Sequence, residues 1–185
     1  VQGTLLQLRV RLIDPDRLLG RLLGALGFCF TPAFLCASAL VILLAGWVAA
    51  EHARALTAAL ARTARVESLA LGLAALLCVS VLHEFAHGLT CKRFGGPVRE
   101  IGFLLIYGLP GFYCNVNSAW RFPEKSRRLW VTAAGVYSEL VCWAAAVLCW
   151  RATQPDTWPH RAALLVLAAT GLRTFLNLNP LIKLD

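Results

Sequence analysis

The sequence contains no methionine, and charged residues fill only 15% of its 185 positions. Ordinary soluble domains carry about 25% charged residues, so a water-soluble globular fold is a poor fit. With 58% hydrophobic residues and a mean hydropathy of +0.65, the chain reads as a membrane protein. The missing methionine leaves no natural translation start, so the chain is expected to be a processed or excerpted piece, ending at Asp185. A disulfide framework is lacking too, because seven cysteines is an odd number and shows no paired spacing. Cys29, Cys36, Cys78, Cys142 and Cys149 lie in apolar runs, where a thiol behaves as a small hydrophobe. Cys91 and Cys114 are the two near polar sequence. No nucleic-acid motif accompanies the net charge of +8, so nucleic acid is not an expected partner.

Against that background the apolar runs set the architecture. We expect an all-α, multi-pass membrane bundle forming a single domain over residues 1–185, with about four transmembrane helices at 28–50, 67–91, 129–151 and 161–180. Residues 1–27 carry Arg9, Arg11, Arg17 and Arg21 among leucines and no small-residue cleavage site, so they do not read as a signal peptide. They suit an interfacial helix begun at Asp14-Pro15, its arginines on lipid headgroups, or else a solvated linker. Glu51 to Val66 reads as a short amphipathic connection.

Glycine and proline interrupt residues 94–128 too often for a spanning helix. Ile101–Tyr107 and Phe112–Asn117 are expected as the two strands of a β-hairpin or re-entrant insert, turned at Gly108-Leu109-Pro110-Gly111. Such a hairpin either offers an edge to an extended peptide, with the Leu105 backbone as its probe, or plugs the bundle. Glu124 to Arg128 reads as a charged surface stretch.

The positive charges give an orientation. With the N-terminus in the cytoplasm, twelve Lys and Arg residues fall on the cytoplasmic side and five on the other, as the positive-inside rule asks. The expected location is an inner (cytoplasmic) bacterial membrane. Four spans would return the end of the fourth to the face where the second ends.

The chemistry concentrates in VSVLHEFAHGLTC, residues 79–91. A helix repeats every ~3.6 residues, so His83 and His87 stack on one face with Glu84 beside them: two zinc ligands and a general base in the pattern H-E-x-x-H. A histidine pair four apart can also be packing or a regulatory metal site, but ionisable groups in a membrane span are expensive and usually functional. Span parity makes Asp185 a physically possible third ligand. Each histidine then needs an acceptor for its other ring nitrogen, which the sequence does not identify. Two further charges, Glu139 and Arg173, fall at nearly the same depth, about 14 Å and about 18 Å from opposite edges at ~1.5 Å per residue. They are expected to pair, with service of Glu139 at the metal site as the competing reading.

HEFAH at 83–87 and FLNLNPLIKLD at 175–185 together resemble the site-2 proteases, zinc intramembrane metalloproteases, and in particular a bacterial branch often described as peptide zinc metalloproteases. The likeness covers roughly Glu67 to Asp185. It implies that His83, His87 and Asp185 bind Zn2+ and that Glu84 is the catalytic base. Asn177, Asn179 and Glu139 become candidates for substrate binding or an oxyanion role. Three positions depart from the family pattern. Ile182 stands where many members have a second proline, and the glycine that follows the aspartate lies beyond Asp185. Glu139 replaces the asparagine of an Ala-Gly-Pro-x-x-Asn motif, here Ala134 to Glu139.

The function this implies is hydrolysis of a peptide bond in a membrane-inserted or membrane-delivered peptide. The expected partners are that peptide or membrane-protein substrate, the lipid bilayer, and an additional membrane or exporter component. The alternatives are an inactive homologue that binds or escorts peptides beside an exporter, and a metal transporter, which would call for ligands spaced along a path rather than gathered at one end.

Overall fold

The computed structural model describes residues 7–63, 69–106 and 109–178. In chain order these form β1 (Gln7–Ile13), α1 (Asp16–Leu26), α2 (Pro32–Glu51), α3 (Ala53–Thr63), α4 (Leu69–Arg93), β2 (Ile101–Ile106), β3 (Leu109–Cys114), α5 (Lys125–Ala152) and α6 (Trp158–Leu178). Short 3-10 turns lie at Gly27–Phe30 and Asn117–Arg121.

Three helices, α2, α4 and α5, are long and apolar enough to cross a membrane. Their surfaces agree with that length: Leu40, Leu43, Leu69 and Leu129 stand exposed, an arrangement that water penalises and lipid does not. The fourth expected span, α6, falls outside this group among the described residues. Arg161, Thr170 and Arg173 interrupt its apolar run.

Contacts divide the chain into two compact units. The first comprises, among the described residues, 7–35, 80–106 and 109–138. Its core is Leu19, Cys91, Val98, Ala119 and Val131, with Phe85 and Phe122 packed against them. The amphipathic helix α1 thus spends its inner face on α4 and the segment after it. Asp16 fixes the joint: its carboxylate meets Lys92 Nζ at 2.6 Å and accepts the Val98 N–H at 3.0 Å. The Lys92 ammonium, with the Val98 N–H, holds the Asp16 carboxyl below its ordinary range.

Gln7–Ile13 therefore differs from the expected interfacial helix. The sequence Leu-Arg-Val-Arg-Leu alternates with period two, and β1 pairs antiparallel with β2, Val10 opposite Phe103. The helix does begin where Asp14-Pro15 pointed, and the Asp14 carboxylate accepts the Asp16 N–H. The insert is a three-stranded sheet of order β1-β2-β3, not a bare hairpin. Leu109, Pro110 and Gly111, expected in the turn, belong to β3, so the connection narrows to positions 107 and 108, outside the described residues.

Pro110 fits a strand because it sits opposite Leu105 at a position that makes no ladder bond. Asn115 N–H donates to the Glu100 carbonyl at 2.9 Å, and the alternation from there turns the amides of Cys114 and Phe112 away from β2. The charged stretch at 124–128 leads into the first turn of α5, with Glu124, just before the helix, and Arg127 paired at 3.1 Å.

The end of α4 shows how the chain leaves a long helix. Gly95 takes a φ of 86°, while Gly96 N–H reaches the Cys91 carbonyl and Gly95 N–H the Lys92 carbonyl. This Schellman closure needs a residue without Cβ in the left-handed region.

The second unit comprises, among the described residues, 36–63, 69–79 and 139–178. Its core is built from small residues, Ala45, Ala59, Ala144 and Ala163, with Val147 and Trp150, which lets helix backbones approach closely. The amphipathic connection is helix α3, and Leu56, Ala59 and Leu60 form its inward face.

Candidate metal centre

Both histidines lie in the C-terminal half of α4, six and ten residues before its end at Arg93. Four-residue spacing brings their rings together, with centroids 4.7 Å apart and Nε2 to Nε2 at 3.0 Å. His83 is fully buried, and Glu84 and His87 nearly so.

The acceptor that the sequence left unidentified is the backbone carbonyl of Val131, which takes the His87 Nδ1–H at 2.6 Å. With the proton on Nδ1, the lone pair of His87 Nε2 faces His83. Val131 is fixed in turn, since its side chain is part of the first unit's core.

One turn further along α5, Gly135 closes the other side. A Cβ built there would overlap the Nε2 atoms of both histidines. The missing side chain leaves a cradle over the two nitrogens that would ligate a metal.

Glu84 is held by the sheet. Its Oε2 accepts the Cys114 N–H at 2.9 Å, at the last residue of β3. The Cys114 side chain lies beside it, and burial first, then the neighbouring Glu84 carboxylate, push this thiol up to about 12. It is a neutral thiol at physiological pH and not a nucleophile.

These donors fit zinc. Tetrahedral zinc with nitrogen ligands at 2.0–2.1 Å spaces them about 3.3 Å apart, close to the observed 3.0 Å. A ligating imidazole anchored through its other nitrogen to a carbonyl is the usual arrangement. Among the described residues no group of three or more His, Cys, Asp or Glu gathers at metal-binding distance. Asp185 and Asn179 lie outside the described residues, and of Asn177 only its place near the end of α6 is described. The structure thus brings together His83, His87 and Glu84.

Glu139 has a different neighbour. It is buried within the second unit and bonded to Arg173 of α6, which is the pairing expected from their matching depths.

Sequence reasoning did not find the Val131 carbonyl or the Cys114 amide, since a backbone group carries no residue identity. Gly135 was visible as the glycine of the Ala134–Glu139 motif, but its clearance over the imidazoles was not.

No family model matches the chain. It is 32% identical over 77 residues to the uncharacterized protein MJ0971 of Methanocaldococcus jannaschii, a match covering 41% of this chain and 21% of that protein. The chain thus spans about a fifth of that relative's length. No solved structure matches.

Proposed function

We propose that the chain is an intramembrane zinc metallopeptidase of the site-2 protease type, hydrolysing a peptide bond in a membrane-inserted or membrane-delivered peptide. The observation that carries this reading is the buried His83–His87 pair, oriented through the Val131 carbonyl, with Glu84 beside it. His83 and His87 would hold the metal, and Asp185 is proposed as the third ligand. Bound zinc supplies Lewis-acid polarisation of a peptide carbonyl and makes a water molecule acidic near neutral pH.

The residues of the chain then divide the work. The Glu84 carboxylate takes a proton from water and returns it to the departing amine. The Val131 carbonyl keeps the His87 ring in one tautomer. The outward edge of β3 offers an extended peptide the Phe112 backbone, two residues before the amide that holds Glu84. Asn177 and Asn179 are proposed to contact the substrate. Glu139, paired with Arg173, is assigned to the scaffold.

A multi-pass membrane protein with the N-terminus in the cytoplasm follows from the charge distribution. α6 is proposed as a fourth span. Its 21 residues reach about 31 Å at 1.5 Å each, and Arg173, which lowers its hydropathy, is paired.

The test is cleavage of membrane peptides by purified protein, with metal analysis. Glu84→Gln should keep about one zinc per chain and lose ~10²–10⁴-fold in turnover, while His83→Ala should lose the metal. Undiminished cleavage by the Gln variant would overturn the reading, and cleavage by neither protein would favour a peptide-binding homologue.

A further inference from the structure

Besides the Val131 carbonyl on His87, a second polar contact reaches the centre from outside α4. The Cys114 N–H donates to Glu84 Oε2 at 2.9 Å. Three features make this donor unusual. It belongs to the terminal residue of an edge strand, since β3 is last in the order β1-β2-β3. It is surplus to the sheet: Asn115 bonds Glu100, so the Cys114 amide points away from β2 and no ladder bond depends on it. And its acceptor is shielded from water, Glu84 being 9% exposed and Cys114 half-buried, where a hydrogen bond to a charged group is stronger than a neutral one.

We propose that the Cys114 backbone amide is the positioning group for Glu84, fixing the carboxylate against the face that carries His83 and His87. This rests on the reading of Glu84 as the base. A glutamate has three side-chain torsions, and α4 sets where the side chain starts. The amide pins the far end. The sheet thereby sets the reach of the base, and a misplacement of about 1 Å at a reacting group can cost ~10²-fold. The Cys114 thiol is incidental to this role, so scanning side chains by substitution to alanine would pass over the position.

Replacement by proline removes the N–H from an outward edge position without removing a sheet bond, and replacement by alanine retains it. Cys114→Pro is expected to keep about one zinc per chain and a KM within about twofold, while kcat falls roughly 10–100-fold; Cys114→Ala should stay within about threefold of the parent. An independent readout needs no turnover. In protein labelled with 15N-cysteine, the Cys114 amide resonance, identified by its disappearance in Cys114→Ala, should lie downfield and move upfield in Glu84→Gln. A resonance indifferent to Glu84→Gln, an undiminished kcat in Cys114→Pro, or an equal loss in Cys114→Ala would each overturn the proposal. Should Cys114→Pro fail to fold, the resonance decides. Should the parent cleave nothing, the hydrolase reading fails while the resonance still tests the contact.

Discussion

Arg173 of α6 donates from Nε to Oε1 of Glu139 on α5, an ion pair in the interior of the second unit. The glutamate is 5% and the arginine 16% exposed at the side chain. Removing one partner from such a pair strands the other, at a cost of about 3–5 kcal/mol. Glu139→Gln and Arg173→Gln should each lower the thermal midpoint in detergent by a similar amount. The exchange Glu139→Arg with Arg173→Glu should be more stable than either single reversal. Zinc loss in Glu139→Gln, with no effect of Arg173→Gln, would instead return Glu139 to the metal centre.

Gly135 gives the second prediction. A methyl group there overlaps both imidazole nitrogens, so Gly135→Ala should leave the helical circular dichroism intact and weaken zinc binding by roughly 100-fold. Equilibrium dialysis against zinc measures it. Normal affinity in the alanine variant would mean that the rings do not meet the metal in the orientation described.

The third concerns the edge strand. The alternation places the Phe112 N–H on the outer side of β3 and the Leu105 N–H toward β1. Leu105, the probe suggested by the hairpin reading, is thus in a central strand, where proline would break a ladder bond. Phe112→Pro should raise KM several-fold while leaving zinc content and thermal midpoint near the parent's. An unchanged KM would favour the sheet as a plug.

Asp16 supplies a pH dependence. Its carboxyl is held below the ordinary 3.8 by Lys92 and the Val98 N–H. A depressed acid contributes stability above its unfolded value and loses it as pH falls through the folded one. At pH 7 Asp16→Asn should cost about 1–2 kcal/mol, with the partial exposure of the pair discounted. The gap between the two midpoints should shrink below about pH 4. A constant gap from pH 7 to 2.5 would remove Asp16 from the joint.

How much of this was legible depended on the distance over which each signal acts. The H-E-x-x-H pattern, the α1 start at Asp14-Pro15 and the apolar runs of α2, α4 and α5 are local, and each was read within a few residues. The Glu139–Arg173 pair was also accessible, because depth along two helices follows from counting residues. β1 is not legible locally, as its partners lie some ninety to a hundred positions away and the four arginines of residues 1–27 suggest headgroups. The turn was placed too late because Gly-Leu-Pro-Gly looks like a breaker wherever it occurs, whereas Pro110 sits at a strand position that needs no donor. The anchors of the centre, Val131 C=O and Cys114 N–H, are backbone atoms whose roles emerge only once α5 and β3 are brought to α4.

The pairing of β1 with β2 also dictates an order of biosynthesis. Strand Gln7–Ile13 leaves the ribosome before α2, α3 and α4 exist, and its partner Ile101–Ile106 follows some ninety residues later. At ~5–20 residues per second the first strand waits about 5–20 s with both edges open. Arg9 and Arg11 place charge within that strand, which discourages pairing with a neighbouring nascent chain. Because β3 joins the sheet only through β2, a ribosome stalled before residue 101 would leave a chain with its histidines made and the amide that holds Glu84 still missing.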